Sequence, residues 1–65
     1  MKFNEVVEEA LARGADIQGN QSMGFFIFPN DKFDRVMCKN LIARLDALAR
    51  KEGKELNLKI VGGSK

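Results

Sequence analysis

The sequence predicts a small α+β domain in the order α-β-β-α-β, with two helices packed on one face of a two- or three-stranded sheet. Three observations carry that expectation. Two segments repeat apolar residues at helical spacing, a phenylalanine-rich run and a C-terminal run fit extended strands, and turn-forming residues lie between them. A chain of 65 residues has room for one core, assigned here to residues 1–61, with residues 62–65 as a flexible tail.

The first helix is predicted over about residues 4 to 13. Phe3, Val6, Val7, Ala10 and Leu11 share one face, while Glu5, Glu8 and Glu9 lie on the other. Asn4 is the expected N-cap, the glutamates favour the positive end of the helix dipole, and Gly14 is placed for a left-handed stop. Ala15-Asp16-Ile17-Gln18 then gives a weak strand, because only Ile17 has strong strand propensity. Gly19-Asn20-Gln21-Ser22 is a dense turn signal, so a hairpin is favoured over an irregular loop across 14–22.

The middle strand, Ser22 to Pro29, is apolar on both faces. Met23, Phe25 and Ile27 form one row, and Phe26 and Phe28 form the other. Pro29 ends the strand, and Asn30 or Asp31 is the expected cap of a second helix running to Glu52 and Gly53. Met37, Cys38, Leu41, Ile42, Leu45, Leu48 and Ala49 fall in one apolar arc, opposite a mainly basic stripe of Lys32, Arg35, Lys39, Asp46 and Arg50. The last strand, Glu55 to Val61, turns Leu56, Leu58 and Ile60 inward and Asn57 and Lys59 outward. A helix between the second and third strands makes a βαβ crossover, so these two strands should be parallel.

Composition narrows the function classes. Hydrophobic content of 45% with 31% charged residues belongs to a folded chain, and a net charge of +2 neither requires nor excludes a polyanionic partner. The lone Cys38 cannot form an internal disulfide and reads as a small hydrophobe, so a cytoplasmic setting is expected. No apolar run approaches the roughly 20 residues of a membrane span, so no membrane association is expected. The chain has no histidine, which removes Cys-His and Ser-His chemistry and imidazole ligands. Its carboxylates are explained by helix starts and its glycines by turns, not by a phosphate loop, so no catalytic residue, cofactor or metal is expected.

What remains is the second phenylalanine row. Full burial of a phenylalanine stabilises by about 1.5 to 3 kcal/mol, so two left exposed would forgo about 3 to 6 kcal/mol. The expectation is a non-catalytic protein-binding or regulatory module, self-associating as a homodimer or inhibiting a larger protein. Phe26 and Phe28 would form the apolar centre of that interface, with Asn57 and Lys59 as its polar rim. Two alternatives compete: a curled sheet that makes both rows core, and nucleic-acid binding by the sheet phenylalanines with Lys32, Arg35, Lys39 and Arg50 meeting phosphate.

Overall fold

A computed structural model describes residues 2–62, and the final residues of the expected tail, 63–65, lie outside that range. Five elements follow one another: α1 (Phe3–Ala12), β1 (Asp16–Asn20), β2 (Gly24–Phe28), α2 (Arg35–Lys51) and β3 (Leu58–Ile60). The strands lie in the order β1-β2-β3, with β1 antiparallel and β3 parallel to β2. This is the small α+β domain expected from the sequence, with three strands in the sheet.

Helix α1 begins one residue earlier than its pattern implies, and Asn4 is not its cap. Phe3 is drawn wholly into the core, and its N–H donates to Glu52 Oε2 at 2.8 Å, while the Lys2 N–H donates to Glu5 Oε1 at 3.0 Å. Carboxylates thus meet the orphan donors of the first turn, one of them supplied from the far end of α2. Both helices end alike. Gly14, at φ 105°, and Gly53, at φ 77°, let the next residue fold back: the N–H of Ala15 reaches the Ala10 carbonyl at 2.9 Å, and that of Lys54 reaches Ala49 at 2.8 Å.

The start of α2 also differs from expectation, since Asp34 caps it by accepting from the Met37 N–H at 2.9 Å. Asn30 is engaged elsewhere. Its Oδ1 accepts from the N–H groups of Lys32 (2.8 Å) and Phe33 (2.9 Å), and its Nδ2 donates to the Gly14 carbonyl at 3.1 Å. The resulting turn carries Phe33 into the core before the helix begins. Lys32 therefore lies in a loop and not on the helical stripe.

The core lies between the two helices and one side of the sheet. Phe3, Val6 and Ala10 of α1 meet Cys38, Leu41, Leu45 and Ala49 of α2 around the fully buried Ile27. Ile17, Phe25, Leu56, Leu58 and Ile60 pack against this cluster, with the Phe25 ring centroid 5.6 Å from that of Phe3. Strand β3 is shorter than the alternating run, although Phe25 N–H to Asn57 C=O (2.7 Å) and Val61 N–H to Ile27 C=O (3.0 Å) continue its contact with β2 at both ends. Met23 belongs to the hairpin turn, where its N–H donates to Asn20 Oδ1 at 2.8 Å, and it is exposed and absent from the inner row. Met37, although in the apolar arc, stands 42% exposed where α1 and α2 part.

Candidate functional site

Because Ile27 is fully buried against the helices, strand alternation turns Phe26 and Phe28 to the face without helices. The pairing registers define what surrounds them. Gln18, Phe26 and Lys59 lie in one row across the three strands; Asn20, Gly24 and Asn57 lie in the row on one side of it. On the other side Asp16 pairs with Phe28, and Val61 continues the β3 column beyond Lys59. The face is an apolar centre of two rings flanked by polar side chains of both edge strands.

Neither ring is bare: both are half-buried, as is Val61, whereas Asp16, Gln18, Asn57 and Lys59 are exposed. Most of each ring is covered, so the sacrifice of burial is far smaller than full exposure implies, at most about 1 to 2 kcal/mol for the pair. The two rings stay outside the core cluster, so the curled-sheet alternative does not describe this fold.

Glycine 24 fixes how closely β2 and β3 approach at one end of this face. A side-chain carbon there would lie 2.8 Å from Asn57 Cβ and 2.9 Å from the Asn57 carbonyl oxygen, and the residue's φ of 98° also favours glycine. Asn57 is thus seated by its backbone, with its side chain at the rim.

The four cations proposed for phosphate are not gathered into one site. Lys32 sits in the loop before α2, Arg35 opens the helix, and Arg50 is 15 residues further on, about 22 Å along the axis. Arg50 pairs with Asp46 at 3.1 Å. Arg35 and Lys39 belong to the helix layer, on the other side of the sheet from Phe26 and Phe28.

A concavity of about 250 Å³ lies between the helices, lined by Val6, Phe33, Met37 and Leu41 together with Arg13 and Arg44. The sequence pattern hides it because Met37 falls within the apolar arc. Cys38 is fully buried, its Sγ 3.6 Å from the Phe33 carbonyl oxygen, and burial with nearby Asp34 pushes its thiol pKa up. A thiol in that setting is a packing group. Among the described residues there is no buried polar side chain, no acid or cysteine cluster with metal-ligand geometry, and no helix long and apolar enough to cross a membrane. No protein-family model, curated protein or solved structure matches the chain.

Proposed function

We propose that this protein is a non-catalytic regulatory module that acts by docking another protein on the helix-free face of its sheet. The observation that carries the reading is the placement of Phe26 and Phe28 side by side on that face, outside the core and ringed by Gln18, Asn57 and Lys59. An apolar aromatic centre with a polar rim is the usual anatomy of a protein interface. The absence of histidine from the chain supports a role in binding over one in catalysis.

The test replaces both rings by threonine, which keeps strand propensity while removing the apolar surface. Phe26→Thr/Phe28→Thr should keep its circular-dichroism spectrum and lose a protein partner that the intact chain retains from an extract of its host. Unfolding of the double variant, or undiminished partner retention, would remove the interface from consideration. A parallel titration against random single-stranded RNA at low salt addresses the nucleic-acid alternative, which predicts binding that weakens steeply as salt rises.

A further inference from the structure

Resting on the docking face just described, we infer that its occupant is a second copy of this chain, stacked face to face about a two-fold axis parallel to β2. The argument comes from where the face carries charge. Asp16 stands on the β1 side level with Phe28, and Lys59 stands on the β3 side level with Phe26, so opposite charges sit diagonally across the apolar centre.

A two-fold axis along the strands lays β1 of one copy over β3 of the other. Phe26 and Phe28 then meet their own counterparts, and each Asp16 falls one diagonal step from the other copy's Lys59, giving two symmetric opposite-charge contacts. The step is about 7 Å along the strand, within reach of a lysine side chain between sheets about 10 Å apart. An axis across the strands does the reverse. It lays β1 over β1 and β3 over β3, bringing Asp16 toward Asp16 and Lys59 toward Lys59. Charge complementarity therefore selects the first arrangement and disfavours the second. Either axis keeps the strands of the two stacked sheets aligned to within about 30°, so charge is what distinguishes them.

The face is small. Three strands about 4.8 Å apart, two of five residues and one of three, give a footprint of at most roughly 14 by 17 Å. Such an area belongs with weak, reversible contacts, so the dimer should form and dissociate with concentration in the micromolar range or above.

Sedimentation equilibrium up to about 1 mM protein tests the inference, with each variant first checked for folding by circular dichroism. Asp16→Lys alone and Lys59→Glu alone should each weaken dimerisation about tenfold or more, because each converts both cross-contacts into like-charge pairs. Mixing the two variants in equal amounts should restore dimerisation, as should the double exchange Asp16→Lys/Lys59→Glu in one chain. In the unmodified protein, amide NMR shifts that move with concentration should cluster at 16–20, 24–28 and 57–61 and spare α1 and α2. A dimer indifferent to the single changes, one not restored by exchange, or shifts confined to the helices would overturn the arrangement. A protein that stays monomeric at about 1 mM would overturn the second copy as occupant. In that case a folded Phe26→Thr/Phe28→Thr variant that loses a different protein leaves the docking face in place, whereas its unfolding removes the face as well.

Discussion

Asparagine 30 should be the most consequential polar side chain for stability, although its class and position suggest only a helix cap. Replacing it by alanine deletes three hydrogen bonds at once: Oδ1 to the N–H groups of Lys32 and Phe33, and Nδ2 to the Gly14 carbonyl. Each intramolecular hydrogen bond contributes about 0.5 to 1.5 kcal/mol net. The bonds to Lys32 and Gly14 are exposed and the bond to Phe33 is part-buried, so water compensates the first two and the low end applies to them. The sum for Asn30→Ala is about 2 kcal/mol. Against the 3 to 10 kcal/mol or so expected of a domain this size, that is a large fraction.

The assay is thermal unfolding followed by circular dichroism. Small domains shift by about 4 to 8 °C per kcal/mol, so Asn30→Ala should melt about 8 to 16 °C below the unmodified protein. Asn30→Asp keeps the acceptor for both N–H groups and loses only the donor to Gly14, so its loss should be smaller. Asn4→Ala and Asp31→Ala remove side chains of rejected cap positions and should shift melting by no more than about 2 °C. Asp34→Ala removes the true N-cap of α2 and should cost about 1 kcal/mol. An Asn30→Ala variant that melts like the unmodified protein, or an Asp31→Ala variant that falls further, would refute this account of the turn.

Two further predictions concern the ends of the structure. The Phe3 N–H, and secondarily Lys54 at 3.6 Å and Lys2, hold the Glu52 carboxyl below its ordinary pKa. A depressed carboxylate pKa gives stability that is fully present above the unfolded value, about 4.3, and fades as pH falls through the folded value. The melting advantage of the unmodified protein over Glu52→Gln should therefore be present at pH 7 and vanish in acid, and an advantage that persists unchanged at pH 2 counts against the contact. Gly24→Ala combines an unfavourable φ with a clash against Asn57 and should cost at least about 1 to 3 kcal/mol in urea unfolding. A Gly24→Ala protein as stable as its parent would show that β2 and β3 have room to separate there.

Periodicity made most of this fold readable, and local hydrogen bonding made its boundaries unreadable. Val6, Ala10, Leu41, Leu45 and Ala49 repeat at intervals that only a helix places on one side, and Leu56, Leu58 and Ile60 do the same for a strand. The glycines at 14 and 53 marked helix ends because a left-handed residue was needed at each. The caps were harder because Asn4, Asn30, Asp31 and Asp34 all offer a side-chain oxygen, and sequence does not say which N–H each will meet. Phe33 settles the choice in three dimensions. Its burial demands a turn before α2, Asn30 supplies that turn, and Asp34 is left as the cap. Met37 shows the converse limit, since an apolar position within the arc still emerges where the helices part.

The candidate site follows from how the chain distributes its two helices. The crossover through α2 covers the side of β2 and β3 that carries Ile27 and Ile60, and α1 joins α2 on that same side through Phe3, Val6 and Ala10. No other helix among the described residues reaches the opposite face. Phe26 and Phe28 must then be shielded by rim side chains, by another molecule, or by both. Within the chain the rings are only partly covered, beside exposed Gln18, Asp16 and Lys59. Neither ring belongs to the core cluster. These rings outside the core cluster are what the proposed docking contact would cover, and the diagonal of Asp16 and Lys59 is what would let the proposed second copy match its charges.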